Sequence, residues 1–264
     1  MRWERRRKMA IEVNGISKTY TGKKAVDNVS FTAEAGKALG LLGRNGAGKT
    51  TTIRVLMNVI RPESGSVTLD GKPINYDKVR IGYLPEERGL YAKKEIFSQL
   101  VYFARLKGME RADAAKSVDG WLERVGLAEY RNKKLETLSK GNQQKVQLIT
   151  ALAHDPQIII LDEPFSGLDP VNAMMLEEIV KEQIEKGKMI CTQFPGHIDL
   201  CSRLNPWMPT CILRVASILF LPGCAHCCSS QCTSPWLWRT PHMICILSRI
   251  HKTFRSSVVR RRSP

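Results

Sequence analysis

The chain has 264 residues, 43% of them hydrophobic, and a formal net charge of +16. This rules out a chain too polar to build a sizeable core, and the length accommodates one large domain or two modest ones. A membrane-spanning segment is excluded as well, because the longest apolar run of the tail, Val215 to Cys228, is interrupted by Pro222 and falls short of the roughly 20 residues a spanning helix needs.

The charge is unevenly placed. Of 25 acidic residues only Asp199 follows position 190, whereas nine basic residues do, and all eight cysteines (Cys191, Cys201, Cys211, Cys224, Cys227, Cys228, Cys232, Cys245) lie beyond it. A uniform basic excess would suit nucleic acid or a membrane surface; this distribution instead marks the tail as a chemically different sequence, and no nucleic-acid partner is expected. The cysteine-free first 190 residues suit a reducing cytosol. Met1 to Lys8 is a basic extension without the apolar run of a secretory signal, and Met9 is an alternative start.

Ala10 to Val13 and Val29 to Thr32 read as short strands around a polar turn, Thr21 to Lys24, making a small β platform. Tyr20, at the edge of that turn, either stacks on a purine or anchors the strand end. Lys37 to Leu42 reads as a buried strand and Thr51 to Val59 as a helix, and between them stands Gly43-Arg44-Asn45-Gly46-Ala47-Gly48-Lys49-Thr50. This is a phosphate-binding loop in its required strand-loop-helix context. Gly43, Gly46 and Gly48 allow the tight turn that aims backbone N–H groups and the positive helix end at phosphate oxygens. Lys49 supplies a charge for the β and γ phosphates, and the Thr50 hydroxyl suits a Mg²⁺ ion.

Turns at Arg61 to Gly65 and Asp70 to Pro73 flank a strand, Ser66 to Leu69. Ile81 to Pro85 is a strand stopped by proline, which leaves Glu86 and Glu87 just past a strand end, where ligands gather in open α/β sheets; a solvated loop is the plainer account. Lys93 to Val125 has helical periodicity, with Gly126 as its C-cap. Leu138-Ser139-Lys140-Gly141-Asn142-Gln143-Gln144 opens a helix running to about Ala153. Ser139 is placed to cap it and Gly141 admits a close backbone approach; capping alone explains the pattern. Ile158 to Leu161 is an apolar strand ending in Asp162 and Glu163, where carboxylates are costly unless a cation or proton transfer compensates. Beside a phosphate loop, the first acid is placed to hold Mg²⁺ and the second to orient or deprotonate a water. Ser166 to Pro170 forms a turn, and a helix follows to about Lys186, ended by Gly187.

With these motifs in this order, the chain from about Ala10 to Met189 resembles the ATP-binding cassette ATPases. The resemblance implies an α/β fold: a phosphate-loop core sheet, an antiparallel β subdomain, a helical insertion over about 87–150 and an irregular C-terminal tail. It implies ATP and Mg²⁺, with Glu163, Lys49 and Asp169 in catalysis. Tyr20, residues Gly43 to Thr50, Thr51, Ser139, Gly141 and Asn142 would contact nucleotide, and Thr50, Asp162 and Glu86 the metal. The signature reads Leu-Ser-Lys-Gly-Asn in place of the commoner Leu-Ser-Gly-Gly-Gln, and Glu86 replaces the usual glutamine. That replacement, in Tyr83 to Tyr91, is similar to bacterial exporter ATPases of the sodium-extrusion or drug-export kind. The resemblance further implies that two such cassettes meet head to tail, that the helical block docks on a separate membrane permease subunit, and that the ATPase is cytoplasmic, peripheral on the inner face of the membrane. A soluble cassette acting on ribosomes or DNA, and a nucleotide-binding module with impaired turnover, are the other classes.

The resemblance stops near residue 189. Where the family places a switch histidine that contacts the γ-phosphate, this chain has Pro195, with His197 nearby. The tail clusters Cys224, His226, Cys227, Cys228 and Cys232, which permits a zinc reading, but without two separated ligand pairs. A disulfide module conflicts with a cytosolic ATPase. Translation out of frame after about 189 accounts together for the lost acids, the cysteine excess and the missing switch.

Overall fold

The computed structural model describes residues 9–193 apart from Arg44 and Arg88, together with the backbone of Arg214–Ser217. All of them fall in the first of two units, 1–219 and 220–264, into which the chain divides. The basic extension, Arg44 of the phosphate loop, Pro195, His197 and the cysteine cluster lie outside the described residues.

In chain order the elements are β1 (Ala10–Tyr20), β2 (Lys23–Glu34), β3 (Ala38–Leu42), α1 (Lys49–Leu56), β4 (Ser64–Leu69), β5 (Lys72–Pro73) and β6 (Ile81–Leu84). There follow α2 (Ile96–Leu106), α3 (Arg111–Arg124), α4 (Lys140–Leu152), β7 (Ile158–Leu161), α5 (Pro170–Glu185), β8 (Met189–Gln193) and β9 (Arg214–Ser217). Two short 3-10 turns, Ala128–Tyr130 and Leu135–Thr137, connect α3 to α4.

One sheet is antiparallel, in the order β2-β1-β4-β5. Its first two strands form one long hairpin, not the two short strands expected. Thr21 and Gly22 both take positive φ, 45° and 80°, the geometry of a two-residue hairpin turn, so Lys23 and Lys24 belong to β2. The pairing register shifts between Val13 and Ile16, and this bulge breaks the alternation that would have revealed the continuous strand. The other sheet is parallel, in the order β6-β7-β8-β3-β9. Strand β7, Ile158–Leu161, flanked by β6 and β8, is buried on both faces, which is why it reads as an unbroken apolar run.

Because successive side chains of a strand point to opposite faces, β7 divides the core in two. Ile159 and Leu161 pack with α2 to α5 around Leu100, Leu122 and Ile149; Ile158 and Ile160 pack with Ile53 of α1 and with Val13 and Ile16 of the antiparallel sheet. The helical block expected over 93–125 is two helices, parted where Gly108 takes φ 88°. Helix α1 stops at Leu56 instead of reaching Val59, because Asn58 turns to φ 57° and leaves Val59 exposed.

Strand β8 runs to Gln193, past the boundary expected near 189, and β9 pairs in parallel with β3 in a stretch from which no element was expected. Among the described residues no helix is long and apolar enough to cross a membrane.

Candidate functional site

The loop between β3 and α1 sits at the carboxyl edge of the parallel sheet. Gly46 and Gly48 take φ 81° and 87°, and a Cβ on Gly48 would lie 2.1 Å from the Ala25 carbonyl oxygen. No other residue type fits there without moving β2. Gly48 also accepts from Thr52 Oγ1 at 2.9 Å, closing the first turn of α1. That helix start has no side-chain cap and no acid in its first turn, so its amides remain available to an anion. Lys49 is 5% exposed and folds back over the loop, its Nζ donating to the Gly43 carbonyl at 2.7 Å. Asn45 and Gly46 are exposed, and Thr50 and Thr51 are half-buried at the helix start.

Two strands away, β7 delivers its acids. Asp162 is 3% exposed; Tyr83 of β6 donates its hydroxyl to Oδ2 at 3.2 Å, while Oδ1 is buried without a partner. Burial pushes the Asp162 carboxyl up to about 6; the Tyr83 bond opposes this, and the charges of Glu86 and Glu163 add to it. Glu163 holds φ 49°, an uncommon backbone for a residue with a side chain and one that recurs at functional sites. Its carboxyl is also raised, by burial and then by Glu86, whereas Lys49 favours its charged form. Lys49, Asp162, Glu163 and Glu86, spread over 115 residues of sequence, therefore form one electrostatic unit at the sheet edge.

The orphaned, buried Oδ1 of Asp162 is the observation that fits a cation here: an unpaired acceptor on a carboxylate whose charge burial disfavours is what a divalent ion would satisfy. Among the described residues no three His, Cys, Asp or Glu side chains are grouped to hold a metal. A Mg²⁺ ion would take Asp162 from the protein, with Thr50 and Glu86 the other expected ligands, and complete its shell with phosphate oxygens and water.

The remaining expected residues lie elsewhere. Ser139 caps α4, accepting from the Asn142 amide at 3.3 Å, and is exposed. Gly141 abuts the start of α5, where a Cβ would stand 3.0 Å from Asn172 Nδ2. Asp169 caps α5 by accepting from the Asn172 amide at 3.0 Å, and that bond holds its carboxyl below the usual range. Tyr20 is exposed at the end of β1, with Lys18 Nζ 5.9 Å from its ring centre.

Three residues at the site were not singled out from the sequence. Tyr83 reaches Asp162 through the register that pairs Leu84 with Leu161. Gln144 Nε2 donates to the Pro164 carbonyl at 2.9 Å, and Gln147 Nε2 to those of Pro85 and Glu87 at 3.2 and 3.0 Å. The one available signal was a pair of amides at i, i+3 on a helix whose neighbours Val146, Leu148 and Ile149 are apolar.

A glycine loop feeding a helix with Lys at its start, with two acids at the end of a parallel strand two positions away in the same sheet, defines a phosphate-loop nucleoside triphosphatase. Residues 26–166 match the ABC transporter family. Over 210 residues the chain is 52% identical to the ABC transporter ATP-binding protein YhaQ of Bacillus subtilis, covering 77% of this chain and 68% of that one. It is 35% identical to the Nod factor export ATP-binding protein I of Paraburkholderia xenovorans, over 74% of this chain and 66% of that one. The chain spans about two thirds of the length of these relatives. The fold matches a solved ATP-binding subunit of an ABC transporter with a TM-score of 0.67 at 27% identity, over 79% of this chain and 86% of that one. The chain belongs to the ABC transporter family, as one of its ATP-binding, ATP-hydrolysing subunits.

Proposed function

We propose that the chain binds Mg-ATP at residues 43–51 and drives export through a separate membrane permease, pairing head to tail with a second copy of itself. The observation that carries this is the opposition of buried Lys49, beside an uncapped helix start, to Glu163 and Asp162 across the sheet edge. Lys49 and the amides of α1 hold the phosphates, and Glu163 takes the proton of the attacking water. Asp162 and Thr50 would hold a Mg²⁺ ion, which when bound would supply charge neutralisation to the phosphate oxygens. Glu86 acts electrostatically on both acids and would join Asp162 and Thr50 at the ion, directly or through its water. Tyr20, exposed at the hairpin end, offers a ring face to the base.

Ser139 is exposed, which leaves the start of α4 open to the nucleotide of a second cassette. On the helical block, exposed Tyr91 and Tyr102 pack around Phe103, and exposed Leu106 lies one turn along α2; such a patch suits a membrane-subunit contact. The export direction follows the similarity to an export ATP-binding protein, and docking on a permease places the chain at the inner face of the membrane.

Glu163→Gln removes the proton acceptor and leaves the phosphate contacts in place, so it is expected to retain ATP and accumulate an ATP-bound dimer. Size-exclusion chromatography with saturating Mg-ATP checks this. A variant that stays monomeric while binding ATP contradicts the head-to-tail pairing.

A further inference from the structure

Helix α4 runs from the exposed Ser139 into the interior, and two of its side-chain amides donate hydrogen bonds to the two acid-bearing loops. Gln147 is 5% exposed, between apolar Val146 and Leu148, where a leucine would bury at lower cost. Its Nε2 donates to the carbonyls of Pro85 and Glu87, the residues on either side of Glu86. One turn earlier, Gln144 Nε2 donates to the Pro164 carbonyl, directly after Glu163. Both loops need holding, because Glu86, Asp162 and Glu163 bring three like charges to one place and repulsion favours swinging the Glu86 loop out to solvent.

We propose that Gln147 is a positioning residue: its bifurcated amide clamp fixes Glu86 against the carboxylates of β7, while Gln144 fixes the turn after Glu163. Through the two clamps α4 acts as one rigid bar, so that displacement of its Ser139 end moves both acid loops together. The proposal rests on the reading of Glu86 and Asp162 as the metal-bearing end of an ATP site. Nothing in the clamp depends on the nucleotide being ATP, only on the two backbone carbonyls and the charges they carry into place.

The test uses the full chain with Gln147→Met, Glu86→Gln and the two combined. Methionine keeps the length and packing of the side chain and removes its N–H donors. Two quantities are measured: hydrogen exchange at the Glu86 and Glu87 amides, and ATP affinity with Mg²⁺ and with the metal chelated. Gln147→Met is expected to speed exchange at both amides and to reduce the Mg²⁺-dependent gain in ATP affinity about tenfold, the scale of lost outer-shell support, with metal-free ATP binding unchanged. Glu86→Gln should give the same loss, and the combined variant no more than Glu86→Gln alone. Unchanged exchange in Gln147→Met overturns the proposal; so does a combined loss equal to the product of the single losses, or an equal loss of ATP affinity without metal. If Glu86→Gln leaves the Mg²⁺-dependent gain intact, the metal role of Glu86 falls, and the exchange result alone then upholds or overturns the clamp. Should Gln147→Met fail to fold, Gln147→Asn, whose shorter amide cannot span both carbonyls, is read by the same outcomes.

Discussion

His154, at the C-terminal end of α4, is 1% exposed; its Nε2 donates to the Ile81 carbonyl at 3.2 Å and its Nδ1 has no partner. Burial holds its pKa down to about 4 from 6.5, with the backbone bond opposing and Lys107, Arg80 and Lys188 assisting. As pH falls, the unfolded chain takes up this proton first, so the stability tied to neutral His154 is complete above 6.5 and is lost towards 4. The loss is on the order of 3 kcal/mol. Denaturant unfolding across that window should show it, and His154→Gln should flatten the slope; an unchanged slope assigns the acid sensitivity to other groups. At this scale, the legible residues were those whose type is costly where the pattern put it: Lys49 beside a helix start, Asp162 and Glu163 after four apolar residues. Tyr83 and Gln147 were not legible, because their meaning lies in partners 79 and about 60 positions away.

Elements with one strong period were readable and those with a bulge were not. β7, α4 and α5 match their expected bounds to within a residue or two, whereas β1 and β2 were cut short by the register shift after Val13. Strand β8 shows why the tail reads differently. Its last residues, Thr192 and Gln193, are buried, and Thr192 Oγ1 and Gln193 Oε1 have no partner, although a central parallel strand calls for an apolar run. The switch histidine expected after this strand is Pro195, outside the described residues. Turnover is therefore expected to fall short of an intact relative by on the order of 10² to 10³, the effect of losing one positioned donor to transition-state charge. Steady-state ATPase assays beside YhaQ would show the deficit; a normal rate abolished by His197→Ala would instead make His197 the switch.

At the scale of the whole molecule, the two half-cores of the described residues meet at the parallel sheet, and at its carboxyl edge a glycine loop, a helix start and two strand-end acids converge. The fold class and the order of motifs were legible in the sequence because each motif brings its own turn chemistry; strand order was not, because β8 and β9 flank β3 only through long-range pairing. The family and the fold make the chain an ATP-binding subunit, and the central proposal is that residues 43–51, with Lys49, hold that ATP. Equilibrium binding of Mg-ATP to the full chain and to Lys49→Ala tests it most directly. The account predicts saturable binding that Lys49→Ala weakens by about ten- to a hundredfold, the scale of a lost charge-assisted contact, with the fold intact by circular dichroism. Equal affinity in the two proteins, or no binding to either, would contradict it.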